Sequence, residues 1–327
     1  MTDVARAAAV SHQTVSRVLN GHPNVRPATR ERVLAAIEAL GYRPNLAARA
    51  LASGRSTQLG LVTLNTMLLG PVATLYAVEQ AARIAGYSVS VTSVGSINRH
   101  TLHECVSRLL QQSVAGVIII APVDTRDSPL SALPADLPAV AVEADPDSAV
   151  PGVTVDQELG AYLATRHLLD LGHRAIAHIS GPEDFIEAQQ RVVGWRRALT
   201  EANLPSPDVL VGDWSAQSGY DAGRLLAGTP EVTAVFAAND NMALGLLRAL
   251  SEQGRSVPRD ISIVGFDDIA EAGFFTPPLT SIRQDFAEMG RRSVELLLRQ
   301  VETAARSVEH ITLAPELVLR DSTAPPP

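Results

Sequence analysis

The chain contains 327 residues, and 46% of them are apolar, which is enough to bury one large core or about two to three ordinary ones. A single Cys excludes an internal disulfide, and the first 15 residues lack the unbroken apolar core of a secretory signal. The longest apolar stretches are far shorter than the roughly 20 residues of a membrane span, so we expect a protein of the reducing cytoplasm. The net charge of −8 is unevenly placed, because residues 1–55 contain eight Arg and three acidic residues and are therefore basic.

The basic segment begins with two predicted helices joined by a tight turn. Helical composition predicts the first over Asp3–Ala8, and Ser11 can cap a second that runs from His12 to about Leu19. Val15, Val18 and Leu19 recur at helical spacing and would pack inward. The opposite face is polar and consists of His12, Gln13, Ser16, Arg17 and Asn20. Gln and Arg side chains suit base edges in a major groove, although a short amphipathic helix alone is a weak signal.

A third helix is predicted after these two. Pro27 suits its first residue and Gly41 its end. Its apolar stripe comprises Val33, Ala36, Ile37 and Leu40. We therefore expect the three helices to share one small core. The following residues 45–56 are helix-prone and end in a flexible Ser-Gly, as a linker or a marginal helix would.

The exact sequence of this head is more specific than its amphipathic pattern. Asp3-Val4-Ala5, the run 10–20, Thr29–Val33 and Gly41–Asn45 resemble the helix-turn-helix head of the LacI/GalR family of bacterial transcriptional regulators. The resemblance implies binding to double-stranded, near-palindromic operator DNA at the nucleoid. The DNA-contacting residues that it implies are Ser11, His12, Gln13, Thr14, Ser16, Arg17, Asn20, Asn45, Arg49 and Leu51.

The same resemblance assigns a role to the linker. Residues 45–57 would form a hinge helix on DNA, in which Leu51 wedges between base pairs of the minor groove and Arg49 lies near phosphate. An ordinary interdomain linker is the alternative. Two features depart from the family: Ala9 stands where a turn Gly is usual, and the family usually has a few more residues before the first helix, so we expect the natural start to lie upstream.

The rest of the chain alternates strand-length apolar runs with helical stretches, which predicts parallel sheets. The predicted strands are Leu59–Thr63, Ser88–Thr92, Gly116–Ala121, Ala139–Val142, Ala175–Ser180, Ala234–Ala237 and Ile261–Phe266. Ligands of open α/β folds bind at the carboxyl ends of strands, and Glu143, Asn239 and Asp267 each follow a strand there. The side-chain oxygens of these three residues can bind the hydroxyls of a polyol. Arg191 could donate hydrogen bonds to such a ligand, and Trp214 could cover the C–H groups of its ring. Each has a structural alternative: Asp267 could cap the following segment, Asn239 could stabilise a turn, and Trp214 could be core.

The body also resembles the LacI/GalR family. Four segments carry the resemblance: GDWSA (212–216), ANDNMALG (238–245), GFDD (265–268) and PPLTSIRQDF (277–286). They imply that Arg191, Asn239 and Asp267 bind sugar hydroxyls, that Trp214 packs on the sugar, and that Gln284 and Phe286 line the pocket. Three positions differ from a family member that the chain resembles along nearly its whole length: Leu64 replaces a small hydroxyl residue, Val155 an aromatic one, and Glu143 a shorter acid.

The resemblance predicts the whole organisation. A small all-α helix-turn-helix head, residues 1–44, and the hinge, residues 45–57, would precede an α/β body, residues 58–327, of two parallel-sheet lobes, periplasmic-binding-protein-like of type I. The chain would act as a homodimeric repressor of a carbohydrate-utilisation operon, released from DNA by a small sugar such as a galactoside or another glycoside. A dimer is expected because residues 322–327 lack the apolar heptads that build tetramers.

Other classes remain as alternatives. A family member whose ligand strengthens DNA binding would have the same sequence features. A sugar-binding transport protein would share the body but would not need the basic head. An enzyme is disfavoured, because no nucleophile elbow, phosphate loop or dinucleotide motif is present and His100, His103 and Glu104 suit a solvated helix face better than a metal site. We expect no cofactor, and Cys105 is expected to be inert.

Overall fold

The computed structural model describes residues 1–19, 22–42, 56–64, 68–120, 129–143, 148 and 150–327. These residues form two compact units, one within residues 1–57 and one from Gln58 to Pro327. Asn20, Asn45, Arg49 and Leu51, four of the residues that the resemblance assigns to DNA, lie outside the described residues.

The amino-terminal unit contains three helices, α1 (Thr2–Ala7), α2 (His12–Leu19) and α3 (Pro27–Ala39), as expected from its sequence. Val4, Val15, Val18 and Val33 are buried together in its core. The Ser11 hydroxyl accepts a hydrogen bond from the Thr14 N–H at 3.2 Å, which satisfies one unpaired amide at the start of α2.

Two details of this unit refine the prediction. Gly41 adopts a φ of +57° just after α3, where a residue without a Cβ is favoured. Leu40 does not belong to the buried stripe: it is 49% exposed, because α3 ends before it and its side chain leaves the packed face. Ala9 has a φ of +50°, which explains why a Gly would suit this turn.

The second unit contains two six-stranded sheets with helices on their faces. Its helices are α4 (Leu69–Ile84), α5 (Arg99–Gln111), α6 (Gln157–Asp170), α7 (Ile186–Glu201), α8 (Ala216–Ala227), α9 (Asp240–Glu252) and α10 (Phe286–Thr303). Its strands are β1 (Gln58–Leu64), β2 (Ser88–Val94), β3 (Val117–Ile120), β4 (Ala139–Val142), β5 (Gly152–Val155), β6 (Ile176–Ser180), β7 (Leu210–Val211), β8 (Ala234–Ala237), β9 (Ser262–Asp267), β10 (Thr280–Arg283), β11 (His310–Leu313) and β12 (Glu316–Val318).

Each sheet belongs to one lobe. The first sheet has the order β11-β5-β4-β3-β1-β2 and is parallel throughout; together with α4, α5 and α10 it forms lobe 1. The second has the order β12-β10-β9-β8-β6-β7 and, with α6 to α9, forms lobe 2. Its only antiparallel pairing joins β10 to β12, and its other strand pairs are parallel.

The chain crosses between the lobes three times. It leaves lobe 1 after β5, returns after β10, and enters lobe 2 again between β11 and β12. Lobe 1 buries apolar clusters on both faces of its sheet, one around Ile119 and Leu109 and one around Ile118 and Leu297. Such two-sided burial explains why the central strands β3 and β4 of this parallel sheet are entirely apolar.

Candidate functional site

One cavity lies between the lobes, near the carboxyl ends of β4, β8 and β9. All seven residues that sequence reasoning proposed for a ligand line it: Glu143, Arg191, Trp214, Asn239, Asp267, Gln284 and Phe286. Much of its wall is apolar, with surface from Leu68, Pro71, Ile120, Phe185 and Phe286. A cleft with a few polar groups among apolar ones is typical of a small-molecule site.

A buried hydrogen-bonded network forms the polar wall on the lobe 2 side. The Arg191 Nε donates to the Gln157 Oε1 at 2.9 Å, and the Gln157 Nε2 donates to the Gln284 Oε1 at 2.8 Å. The Gln284 Nε2 in turn donates to the Asp267 Oδ1 at 2.7 Å. The Arg191 Nη2 lies 3.8 Å from the same Asp267 oxygen. The network fixes four side chains, so the groups that face the cavity are preorganised.

The carboxyl groups of the cavity have perturbed acidity. Burial raises the pKa of Asp267 to about 6, although the nearby Arg191 and the Gln284 amide act in the opposite direction. Burial also raises the pKa of Glu143, whose Oε1 accepts a hydrogen bond from the Val155 N–H at 3.3 Å. Several carboxyls with raised pKa values in one cavity are a common feature of functional sites.

Trp214 and Asn239 serve the fold and the cavity together. The Asn239 Oδ1 caps α9 by accepting from the Met242 N–H at 2.8 Å, and its Nδ2 donates to the Trp214 carbonyl at 3.0 Å. The Trp214 ring packs so tightly over Gly181 that a Cβ there would lie 2.1 Å from it. Trp214 is thus part of the buried core, as its structural alternative held, whereas Asn239 caps a helix rather than stabilising a turn. Both residues also line the cavity.

Three cavity residues have an unusual backbone conformation. Glu143, Trp214 and Asp267 have φ angles of +54°, +70° and +102°, in the region that favours glycine. A non-glycine residue in such a conformation costs on the order of 1–3 kcal/mol and persists where the surroundings hold it. This strain is concentrated at the ends of β4 and β9 and before α8, where it turns the side chains toward the cavity.

Sequence reasoning missed three polar residues of the cavity, Thr74, Gln157 and Glu187. All three lie on helices, Thr74 within α4 and the other two in the first turns of α6 and α7, whereas a position at the end of a strand indicated Glu143, Asn239 and Asp267. Leu64 and Val155 are not among the described residues that line the cavity. The backbone N–H of Val155 donates a hydrogen bond to Glu143, which does line it.

The polar face expected on α2 is present in the head. His12, Gln13 and Arg17 are exposed, Thr14 and Ser16 are half-buried, and Val15 and Val18 are buried on the other side. Exposed Gln and Arg side chains on one helix face can reach base edges. The described part of the chain contains no group of three or more metal-ligating side chains, and His100 and Glu104 form an exposed pair at 3.4 Å. None of its helices is long and apolar enough to cross a membrane.

Two family models match the chain. The model of bacterial regulatory proteins of the lacI family matches residues 1–45, and the model of a periplasmic binding protein-like domain matches residues 165–323. The lactose operon repressor of Escherichia coli (strain K12) is 37% identical over 327 residues, which are 99% of this chain and 90% of that protein.

Solved structures of transcriptional regulators also match this chain. The lac repressor dimer bound to operator and the anti-inducer ONPF matches with a TM-score of 0.90 at 37% identity and covers 98% of both chains. A complex of the transcriptional regulator CelR with cellobiose matches with a TM-score of 0.73 at 34% identity, again over 98% of both chains. The predicted fold class is confirmed, and these relatives are transcriptional regulators, not enzymes. With a relative this similar over nearly its whole length, the chain belongs to the lacI family of bacterial regulatory proteins.

Proposed function

We propose that this protein is a sequence-specific transcriptional repressor whose hold on operator DNA is released by a small sugar bound in the cavity between the lobes. The observation that carries the proposal is that side chains from both lobes line one cavity, Glu143 and Phe286 from lobe 1 and Arg191, Trp214 and Asp267 from lobe 2. A ligand that touches both lobes binds one arrangement of them better than another and so shifts the equilibrium between them.

The proposed DNA-binding residues are those expected from the resemblance. His12, Gln13, Ser16 and Arg17 on the polar face of α2 would read the major groove, and Ser11 and Thr14 at its start would help to position it. The proposed division of the chain is a head over residues 1–44, a hinge over residues 45–57, and a body over residues 58–327. In this proposal effector binding disorders the hinge, so the affinity for the operator falls.

The proposal includes a homodimer, which matches a near-palindromic operator. Tyr76 is 65% exposed and Ile84 82% exposed on α4, and Val72 is exposed on the same helix. A second copy that covered these apolar side chains would bury them and place two heads at two half-sites. The solved lac repressor that this chain resembles is a dimer on operator DNA. The proposed location is the bacterial cytoplasm, at the nucleoid.

Fluorescence anisotropy tests the proposal directly. A labelled DNA fragment from upstream of the protein's own gene is titrated with the protein at fixed salt, because phosphate contacts make the affinity depend on salt. Galactosides, glucosides and cellobiose are then added. Release of the DNA by one of these sugars supports the repressor and its inducer, with a coupling of about 1–3 kcal/mol between the two sites.

Other outcomes reassign the function. DNA binding that a sugar strengthens would make the ligand a corepressor. Sugar binding without any DNA binding would favour a sugar-binding protein with another role. Because coupling is reciprocal, operator DNA must weaken sugar binding by the same factor as sugar weakens operator binding; equal sugar affinity with and without operator contradicts the allosteric part.

A further inference from the structure

The turn that brings Asp267 to the cavity has a left-handed backbone at two successive residues. At the end of β9, Asp267 has a φ of +102° and Asp268 a φ of +53°. Neither residue is a glycine, so this conformation persists only where the surrounding structure holds it. The groups that hold the turn therefore decide where the Asp267 carboxyl group lies.

Two buried side chains bind the backbone of this turn. The Ile269 N–H donates to the Asp240 Oδ2 at 2.9 Å, and the Asp268 N–H donates to the Ser281 Oγ at 3.2 Å. The Ser281 Oγ and the Asp240 Oδ1 are hydrogen-bonded to each other at 2.6 Å. Asp240 and Ser281 are both fully buried, and we refer to them as the turn clamp. The clamp binds each of the two amides that follow a left-handed residue.

Asp240 reaches the turn from behind the cavity wall. It is the first residue of α9 and follows Asn239, but it is not among the described residues that line the cavity. Its Oδ1 lies so close to β9 that a Cβ on Gly265 would be 2.2 Å away, so a glycine in the strand is what allows this approach. Asp240 can therefore act on a bound ligand only through the turn.

The two acidic side chains of the turn lie in different surroundings. The Asp268 carboxylate accepts from the Arg283 Nε at 2.7 Å and from the Arg320 Nη2 at 2.6 Å. The Asp267 carboxylate accepts from the Gln284 Nε2 at 2.7 Å and lines the cavity. Because the two arginines engage Asp268, Asp267 is the carboxyl group that the turn presents to a ligand.

The acidity of the two neighbouring carboxyl groups assigns their charges. Burial and the nearby charge of Asp267 raise the pKa of Asp240 to about 8, whereas burial raises that of Asp267 to about 6. Between these values the ionised carboxylate is the one in the cavity, and Asp240 is neutral. An asparagine at position 240 is also neutral, and its amide can accept from the Ile269 N–H and donate to the Ser281 Oγ.

We propose that Asp240 is a positioning residue of the effector site: together with Ser281 it holds the left-handed turn from which Asp267 binds the ligand. The inference rests on the proposed function, in which this cavity binds a small sugar. Without the clamp the turn relaxes to ordinary backbone angles and the Asp267 carboxylate moves away from the ligand. The affinity for the sugar then falls, although neither clamp residue lines the described cavity wall.

Calorimetric titration with glucose, galactose, lactose and cellobiose at about pH 7 tests the clamp. Affinity for the sugar that binds should fall about fivefold in Ser281→Ala and at least about tenfold in Asp240→Ala. The double variant should bind no more than about twofold more weakly than Asp240→Ala, because the two side chains act as one unit. Asp240→Asn should stay within about threefold of wild type, since it can restore both hydrogen bonds.

Asp260→Ala is the matched control. The Asp260 Oδ2 accepts from the Ser256 N–H at 2.7 Å, so this variant also removes a carboxyl group that binds a turn amide of lobe 2, but outside the described cavity wall. It should leave the sugar affinity within about twofold of wild type. Urea unfolding shows whether each variant is folded, and Ser281→Ala, the smaller change, replaces Asp240→Ala if the latter is not.

The pKa of Asp267 gives a readout that needs no ligand. It is measured from the carboxyl resonances of ¹³C-labelled aspartate, in which the signal missing from Asp267→Asn belongs to Asp267. We expect a pKa of about 6 in wild type and of about 5 or lower in Asp240→Ala, because a relaxed turn exposes the carboxyl group to water. Arg191, Glu143 and Glu187, the charged groups that act on Asp267 across the cavity, are the same in both proteins.

The outcomes separate this inference from the proposed function. An unchanged sugar affinity, additive losses in the double variant, a loss in Asp240→Asn as large as that in Asp240→Ala, or a pKa of Asp267 that the clamp variants leave near 6 overturns the positioning role. If DNA binds but no sugar of the panel does, the sugar effector of the proposed function fails. The pKa of Asp267 in the clamp variants then still decides whether Asp240 holds it in place.

Discussion

Replacement of Arg191 by Met should destabilise the body in a way that depends strongly on pH. The methionine keeps most of the side-chain volume but removes a guanidinium that is buried to 96% and that donates to Gln157 and Ala238. It also removes the only cation that the described cavity wall sets against Glu143, Glu187 and Asp267. The loss of hydrogen bonds is present at every pH, whereas the loss of charge compensation acts only when the carboxyls are ionised.

The direction in which stability changes with pH follows from the pKa shifts. In the wild-type protein Arg191 lowers the pKa of Asp267, which burial has raised to about 6. Without Arg191 this pKa rises further, so the folded state binds more protons than the unfolded state over a wider pH range. Stability is then full below the unfolded pKa, near 4, and falls as pH rises through 6 and beyond. We expect a loss of about 1–2 kcal/mol near pH 5 from the hydrogen bonds and about 3–5 kcal/mol near pH 8, where charges are left unpaired.

Urea unfolding of wild type and Arg191→Met at both pH values measures this difference. Arg197→Met is the control, because Arg197 lies on the same helix but is largely exposed and pairs with Glu158 and Glu201. Such a surface pair contributes about 0–1 kcal/mol, and its loss should change little between the two pH values. An equal loss of stability at pH 5 and pH 8 in Arg191→Met would refute the electrostatic reasoning and leave Arg191 a packing residue.

Three further changes test the head and the cavity. Arg17→Ala should reduce discrimination between operator and random DNA by about 1–3 kcal/mol in anisotropy titrations; an equal loss on both DNAs would make Arg17 a phosphate contact. Trp214→Phe should abolish the change in intrinsic fluorescence on sugar binding, and Trp195→Phe, which alters a residue buried in the core of lobe 2, should retain it; the reverse pattern would remove Trp214 from the site. Ala9→Gly should stabilise the head by about 0.5–1 kcal/mol, seen as slower hydrogen exchange in residues 1–42 of the full chain, because φ at this position is +50°; faster exchange would contradict the strain.

The fold was predictable where burial dominates the sequence. Ala139–Val142 and Ala234–Ala237 match observed strands to the residue, because every residue in them is buried and the apolar run has sharp ends. β5, β7, β10, β11 and β12 were not predicted. β5 and β10 are largely buried, but their four-residue segments GVTV and TSIR are not continuous apolar runs. The residues of β11 and β12 are exposed or half-buried, and β11 is a strand only because it pairs with β5, far away in the sequence. An edge strand of this kind has no local signal that distinguishes it from a loop.

The residues of the site were predictable from position where a strand ends at the cavity. Three cavity residues that lie on helices were missed for this reason. Glu143, Asn239 and Asp267 follow apolar strands, so position alone indicates them. Arg191 and Trp214 were proposed from their side-chain chemistry, and Gln284 and Phe286 came from the resemblance, which carries over residues of matching type. Glu187 was indicated in none of these ways, because it lies in the first turn of a helix and its place in the cavity wall is set only by the folded chain.

Gln157 shows what the folded chain adds to this reasoning. It follows the first crossing between the lobes, Gln284 follows the second, and their amides are hydrogen-bonded to each other at 2.8 Å. The same two amides hold Arg191 and Asp267, two of the charged groups that line the cavity. A sugar hydroxyl that takes an oxygen of Asp267 would therefore compete with Gln284 for it, and the effect would reach the segments that join the lobes. Binding chemistry and lobe arrangement are in this way linked through four buried side chains.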